Sequence, residues 1–241
     1  MQAGENKSAS TWRNSMNILL FLLSVAFFLI SVIIIYKIFG KTGIYVYVGF
    51  ATILANIQAC KSIELCGITT TAGSVLYAST FLCTDILSEK YGKKAAAKAV
   101  WLGVFINIIW LVGTQLTLWF TPSSSDYIQP SLDVVFGMVP RMSAASLVSY
   151  VISQRIDVFL YHAIWDRTGN GKKGLWLRNN GSTLCSQLID SVLFVTIAFW
   201  ETVTMNIFIE IMLTTYLFKA IVAVCDTPFA YFARKINVME D

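Results

Sequence analysis

The chain has 241 residues, of which 56% are hydrophobic and only 13% are charged. A soluble domain carries about 25% charged residues, so this composition excludes an ordinary soluble globule. The net charge of +4 does not indicate a nucleic-acid partner, because the Lys and Arg residues lie at the ends of apolar runs, where they set membrane orientation. The composition predicts a protein whose outer surface faces the lipid bilayer.

Apolar runs predict six or seven transmembrane helices, since a spanning helix needs about 20 mostly apolar residues. A polar tail, residues 1–15, precedes a single transmembrane domain, residues 16–235, and a C-terminal tail, residues 236–241. The predicted spans are residues 16–39, 43–59, 69–87, 95–120, 140–165, 184–200 and 205–224. If one early segment is re-entrant, six true spans remain. The predicted fold class is an all-α polytopic membrane bundle, because helices satisfy their own backbone polar groups in lipid and these runs are too long for barrel strands.

The distribution of basic residues predicts the orientation of the bundle. Basic side chains concentrate in residues 90–98, 167–173 and 234–235, and such segments normally face the cytoplasm. The loop at residues 122–139, which has no Lys or Arg, then lies outside. We therefore expect a multi-pass inner-membrane protein with a cytoplasmic C-terminus. The N-terminal side stays open, because seven spans place it outside while Lys7 and Arg13 favour the inside.

Charged and amide side chains occur at membrane depth, where a charge costs roughly 2.5 to 3.5 kcal/mol on insertion scales. They are Asp85, Glu89, Arg141, Gln154, Asp157, Arg178, Gln187, Asp190, Glu210, Lys219 and Asp226. Helical spacing places Asp85 with Glu89, Gln154 with Asp157 and Tyr161, and Thr183 with Gln187 and Asp190 on three separate stripes. Such residues normally face the bundle interior and mark a pathway or a site. The alternative is structural, with polar contacts that hold helices together in lipid.

Motifs for other chemistry are weak. The segment 169–174 is rich in Gly and Lys, but it lacks the spacing of a phosphate-binding loop. The chain has a single His, His162, and five Cys without a C-x-x-C pair, so no metal site is predicted. We find no nucleophile–base pair. The sequence therefore predicts neither an enzyme nor a resident cofactor.

Three polar blocks are specific in combination. They are Leu54-Ala55-Asn56-Ile57 with Lys61 and Gly67; the run from Tyr77 to Ala95 with its D-x-x-x-E-x-Y-G pattern from Asp85; and the segments Arg141–Ser146, Gln154–Asp157 and Arg178–Thr183 followed by Gln187 and Asp190-Ser191. Over roughly residues 45–235, these blocks resemble the bacterial queuosine precursor transporter family, which is grouped with vitamin-uptake proteins.

The resemblance implies uptake of a 7-deazaguanine for the queuosine modification of tRNA. It leaves open whether the substrate is the nitrile precursor preQ0, the aminomethyl precursor preQ1 or queuine. A guanine-like ring offers N1–H and an exocyclic amine as adjacent donors to a carboxylate, and its O6 accepts from Arg, Asn or Gln. The predicted substrate-binding residues are Asp190, Gln187, Arg178, Asn179, Thr183, Asp157, Gln154, Arg141, Asp85, Glu89, Tyr77 and Asn56.

Two alternatives stay open at this point. The chain could be a membrane-embedded enzyme, or a transporter of another vitamin-like heterocycle. The sequence also leaves open a homodimer, an external ATPase partner and the form of energy coupling.

Overall fold

The computed structural model describes residues 2–65, 68–137, 139–169, 172–201, 204–236 and 238. Its elements in chain order are α1 Gln2–Ala59, β1 Ser62–Leu65, β2 Ile68–Thr71, α2 Ser74–Tyr91, α3 Lys93–Trp119, α4 Gln129–Gly137, α5 Val139–Thr168, α6 Lys172–Phe199 and α7 Met205–Lys235. The predicted all-α class is confirmed, with one short antiparallel hairpin added.

Among the described residues, five helical segments are long and apolar enough to cross a membrane. They are Ser15–Ala59, Lys93–Trp119, Gln129–Thr168, Gly174–Phe199 and Met205–Lys235. Large apolar side chains remain exposed along their outer faces, for example Leu22, Phe27, Phe105, Ile109 and Leu213. In water this surface would be unfavourable, whereas in lipid it needs no cover.

The first of these segments is two antiparallel limbs rather than one rod. Its 45 residues would extend about 68 Å as a straight helix, about twice the thickness of the hydrocarbon core. Gly40 interrupts the helix with φ 54° and ψ −138°, a conformation that essentially only Gly adopts. The Tyr47 hydroxyl donates to the Phe28 carbonyl at 3.2 Å, and Asn17 Nδ2 donates to the Glu64 carbonyl at 3.0 Å. The chain therefore reverses at Gly40, and each limb has the length of a span.

Helix α2 is not among the five apolar segments, yet it lies inside the bundle. It packs against α1, α3, α5 and α7, and residues as different as Leu76, Phe81, Thr84 and Asp85 are all buried in it. A helix that is enclosed by protein does not need an apolar surface. With α2, the two limbs of α1, and α3, α5, α6 and α7, the described residues contain seven segments of membrane length.

The alternating helices give the bundle two chemically different ends. At one end, Lys41 lies over the Tyr91 ring at 5.4 Å, and Lys90 Nζ donates to the Ile236 carbonyl at 3.2 Å. We call this the basic end. At the opposite end, the β-hairpin, α4 and the α6–α7 turn meet, and Arg141 donates to the Trp200 carbonyl at 3.2 Å. We call this the hairpin end.

Two predicted boundaries are wrong at the hairpin end. The span predicted from residue 69 begins only at Ser74, because Ile68–Thr71 forms β2 and pairs with Ser62–Leu65. Its run of β-branched residues favours a strand. The stretch at 122–139, predicted to be a loop, contains α4. The carboxylate of Asp126 begins that helix by accepting the Ile128 N–H at 2.7 Å. Gly67 of the first polar block lies outside the described residues.

Two other helices are longer than predicted. Helix α6 begins at Lys172 rather than 184, and α7 continues through Asp226 and Pro228 to Lys235 rather than ending at 224. In both cases the extra turns carry polar residues that are buried against neighbouring helices, such as Arg178 and Asp226. Apolarity alone does not reveal such turns.

Replacing Gly40 should destabilise the protein. A Cβ atom in this backbone conformation is strained, so Gly40→Ala should lower the free energy of unfolding by about 1 to 3 kcal/mol. Gly113→Ala on α3 is the matched control, because a Cβ there meets nothing within 4 Å, and Ala favours a helix by about 0.5 to 1 kcal/mol. Thermal unfolding of the purified protein measures both changes. Equal stability of the two variants would contradict the reversal at Gly40.

Candidate functional site

A cavity enters the bundle from the hairpin end and stops at a charged floor. Its empty volume is ≈ 910 Å³, which includes the open space at its mouth. The second limb of α1, the hairpin and the helices α2, α3, α5, α6 and α7 contribute its lining residues, which are Thr52, Ala55, Asn56, Ala59, Thr70, Gly73, Tyr77, Asn107, Ser146, Ser149, Asp190, Phe194, Phe199, Ile211, Thr215 and Lys219. Most of the wall surface is apolar, although ten of these sixteen residues carry a polar side chain.

Asp190 is the centre of the cavity floor. Its Oδ2 accepts from Lys219 Nζ at 2.5 Å, and its Oδ1 accepts from the hydroxyls of Tyr77 at 2.9 Å and Ser153 at 3.0 Å. The Lys219 ammonium also lies 5.1 Å from the centre of the Tyr77 ring and 5.9 Å from that of Phe194. Four helices thus join one carboxylate, one cation and two aromatic rings.

A second polar group lines one wall of the cavity. Asn56 Nδ2 donates to Asn107 Oδ1 at 3.3 Å and to the Thr52 carbonyl at 2.8 Å. This contact connects the second limb of α1 to α3 beside the opening. The side-chain amides of Asn56 and Asn107 therefore face the interior of the cavity.

Below the floor, a layer of amides and hydroxyls continues the polar interior. Gln154 donates to Thr80 at 3.2 Å and accepts from Thr84 at 3.2 Å. Gln187 is fully buried on α6, and neither its amide nitrogen nor its amide oxygen has a hydrogen-bond partner among the described residues. A buried amide without hydrogen-bond partners is costly. The Gln187 amide can therefore form hydrogen bonds with water or with another polar group that enters this layer.

The next layer towards the basic end contains three buried carboxylates. Asp85 accepts from Thr183 at 3.4 Å, Asp157 from Ser186 at 2.9 Å, and Asp226 from Asn179 at 2.9 Å. The three acids lie on α2, α5 and α7, and all of their donors lie on α6. None of the three forms an ion pair within the described part of the chain.

An Arg–Glu pair closes the interior at the basic end. Arg178 Nη2 contacts both carboxylate oxygens of Glu89, at 2.7 and 2.8 Å, while its Nε donates to the same group at 3.0 Å. Tyr161 donates to Glu89 at 2.8 Å, and Arg234 contacts it at 3.3 Å. The guanidinium of Arg178 also stacks 4.4 Å from the Trp165 ring centre. This group connects α2, α5, α6 and α7.

The structure separates the twelve predicted binding residues into groups. Asp190, Tyr77 and Asn56 line the cavity. Gln154, Gln187, Thr183, Asn179, Asp157 and Asp85 lie in the two layers beneath it, and Glu89 and Arg178 lie at the basic end. Arg141 is exposed near the hairpin end and does not line the cavity. The three predicted stripes do face one interior, but they extend over its whole depth.

The predicted set omits several residues that line the cavity. Lys219 is one of the charged residues predicted at membrane depth. The residues next to it on its helix face are apolar, so the sequence shows no polar stripe there and gives no reason to pair Lys219 with Asp190. Asn107, Ser146, Ser149 and Phe194 also line the cavity. Asn107 could have been predicted, because it is the single Asn in the apolar run 95–120. Ser146 and Ser149 could not, because small Ser residues are common in membrane helices.

Comparisons with known proteins identify the family of this chain. Residues 71–233 match the model of a family described as "Putative vitamin uptake transporter". The chain is 43% identical over 207 residues to a Bacillus subtilis protein named "Probable queuosine precursor transporter", covering 86% of this chain and 90% of that one. The chain belongs to the queuosine precursor transporter family. The predicted family is thereby confirmed.

More distant relatives of this transporter family carry the same name. The Escherichia coli "Queuosine precursor transporter" is 24% identical over 173 residues, which cover 70% of this chain and 75% of that protein. A Haemophilus influenzae relative is 25% identical over 131 residues, about half of each chain. No solved structure matches the chain significantly. The relatives are all named as transporters, so the function class predicted from the sequence is confirmed at that level.

The Glu89–Arg178 pair should be essential to stability. Their side chains are 6% and 0% exposed, and removing one partner of a buried ion pair costs about 3 to 5 kcal/mol. Glu89→Gln should therefore lower the unfolding free energy by that amount. Glu64→Gln is the matched control, because Glu64 is exposed at the other end of the bundle. Denaturation in detergent measures both. An unchanged midpoint for Glu89→Gln would show that the pair does not hold the basic end together.

Proposed function

We propose that this chain imports a 7-deazaguanine precursor of queuosine and binds it in the cavity above Asp190. The observation that carries the proposal is the cavity floor itself. The Lys219 ammonium is paired with Asp190 and lies 5.1 Å from the Tyr77 ring centre and 5.9 Å from that of Phe194. This floor forms the bottom of a pocket in a membrane protein whose relatives are named queuosine precursor transporters.

The floor matches the hydrogen-bonding edge of a guanine-like ring. Its N1–H and exocyclic amine can donate to the two oxygens of Asp190, which now accept from Lys219, Tyr77 and Ser153. Lys219, released from Asp190, can then donate to the ring O6. The aromatic rings of Tyr77 and Phe194 supply apolar surface for the faces of the heterocycle.

A pocket of this kind also provides selectivity. A ligand without the donor edge cannot replace the contacts that Asp190 makes with Lys219, Tyr77 and Ser153, so its binding at the floor is disfavoured. Another vitamin-like heterocycle remains the second candidate, because the family description names vitamin uptake. Competition between unlabelled heterocycles and a labelled 7-deazaguanine for uptake separates the two.

We further infer that the chain lies in the bacterial inner membrane with its basic end in the cytoplasm. The basic residues near Lys41, Lys90 and Lys235 support this orientation, since they collect at one end of the bundle. The cavity would then open to the outside, as import requires. The N-terminus of α1 would also lie outside, because its first limb starts at the hairpin end.

Loss of the protein should reduce queuosine in tRNA. In a host that cannot make the precursor and has no other uptake system, deleting the gene should abolish tRNA queuosine at low external preQ0, preQ1 or queuine. Restoring the gene should restore the modification. Mass spectrometry of digested tRNA measures the result. Unchanged queuosine in the deletion strain would overturn the proposed function.

Asp190→Asn should abolish uptake. The amide places a donor against the donor edge of the ring, and losing one partner of a buried charged hydrogen bond costs about 2 to 5 kcal/mol of binding. The single variant also leaves Lys219 uncompensated. The double variant Asp190→Asn/Lys219→Met removes both charges and should recover protein level without recovering uptake.

The control for this pair of variants is Asp126→Asn, the same substitution in an exposed loop. Uptake is expressed per amount of protein in the membrane. A purely structural role for Asp190 predicts normal specific uptake in the double variant, and that result would remove Asp190 from the substrate site.

Thiol labelling tests the orientation. A membrane-impermeant reagent added to intact cells should not label Lys93→Cys at the basic end, but should label Ser124→Cys beyond α3 at the other end. The parent for both is a variant with its five native Cys replaced. The reverse pattern would contradict the inferred orientation.

A further inference from the structure

The three-acid layer has an unusual pattern of satisfied and unsatisfied oxygens. In Asp85, Asp157 and Asp226, one carboxylate oxygen accepts a hydrogen bond from α6, while the other is buried and has no hydrogen-bond partner among the described residues. The three side chains are at most 2% exposed. Asp85 repels both Asp157 and Asp226. Three ionised groups cannot remain here together without a compensating positive charge.

The nearest cations are already committed to other acids. Arg178 pairs with Glu89 towards the basic end, and Lys219 pairs with Asp190 at the cavity floor. The other charged residues on the four surrounding helices are Glu89 and Lys90 on α2, Arg141, Arg155, Asp166 and Arg167 on α5, Lys172, Lys173, Arg178 and Asp190 on α6, and Glu210, Lys219, Arg234 and Lys235 on α7. The remaining titratable residues on these helices are Tyr77, Cys83, Tyr91, Tyr150, Tyr161, His162, Cys185, Tyr216, Cys225 and Tyr231. Arg234 contacts Glu89. The charge of the three acids must therefore be neutralised by a bound proton or another bound cation.

Two further observations point to a bound proton. The Asn179 amide nitrogen donates to Asp226. Its amide oxygen is buried and has no hydrogen-bond partner within the part of the chain that the structure describes, so this oxygen can accept from a protonated carboxyl. A second, smaller cavity, with an empty volume of ≈ 210 Å³, is lined by Asp85, Glu89 and Tyr161 and lies towards the basic end. It leaves a small space beside Asp85 that is separate from the substrate cavity.

A metal ion fits the layer less well. Within the described part of the chain, no three acidic, His or Cys side chains converge closely enough to hold one. Each acid instead faces its own donor on α6, which suits individual carboxyl groups that bind and release protons. Binding converts a carboxylate and a proton into a carboxylic acid and needs no other reactant.

We propose that Asp85, Asp157 and Asp226 form a proton-binding site that couples substrate import to the proton gradient. Proton binding follows from the acid layer alone, whereas the coupling rests on the proposed function. Helix α6 carries the donors to all three acids and also Asp190. A change in protonation of the acids therefore alters the contacts of the helix that carries the substrate carboxylate.

Infrared spectroscopy tests proton binding without any substrate. Purified protein in lipid at neutral pH should show the C=O stretch of protonated carboxyl groups. Asp226→Asn and Asp157→Asn should each remove part of that band, whereas the exposed control Asp126→Asn should not. Absence of the band, or a band that the buried variants leave unchanged, would overturn the proton site.

Transport in proteoliposomes tests the coupling. An inward proton gradient should drive accumulation of labelled preQ0 by the wild-type protein. Asp226→Asn should lose this accumulation but retain exchange of internal for external preQ0. Accumulation that depends on a sodium gradient instead, or that persists in Asp226→Asn, would overturn the coupling. If no 7-deazaguanine is exchanged while the infrared band is present, the proposed function fails and the proton site stands.

Discussion

A buried charge in a membrane protein has to be compensated by another group inside the bundle. The Asp190–Lys219 pair is the contact through which this requirement has the largest effect on the fold. The pair joins α6 to α7, recruits Tyr77 from α2 and Ser153 from α5, and forms the floor of the cavity. Without Lys219 the carboxylate would be an isolated charge at membrane depth, which is costly. With it, the bundle keeps a strong acceptor at the bottom of an apolar pocket.

The polar interior below that floor is organised by one helix. α6 donates from Thr183, Ser186 and Asn179 to acids on three different neighbours, and Arg178 closes the basic end with Glu89. A helix with so many internal partners cannot face lipid along these stripes. This explains why Arg178 and Asn179, although polar, are buried in a helical turn rather than exposed in a loop.

Much of this arrangement could be predicted from the sequence. Apolar runs located most of the spans, and helical spacing placed Asp85 with Glu89 and Gln187 with Asp190 on interior faces. What could not be predicted depends on contacts between distant segments. The pairing of Lys219 with Asp190, and of Glu89 with Arg178, follows from packing. The reversal at Gly40 needs the geometry of the backbone, and the hairpin at residues 62–71 forms from a stretch predicted in part to be helical.

The proposed transport depends on a heterocycle that binds against Asp190, between Tyr77 and Phe194. A structure of the protein in lipid nanodiscs, determined with preQ0 present, tests this binding mode. We predict density for a flat ring in the cavity with its N1–H and amine edge on Asp190, and with Lys219 moved from Asp190 towards the ring oxygen. A ring bound at Arg141 or beside Arg178, with the Asp190–Lys219 pair unchanged, would contradict it.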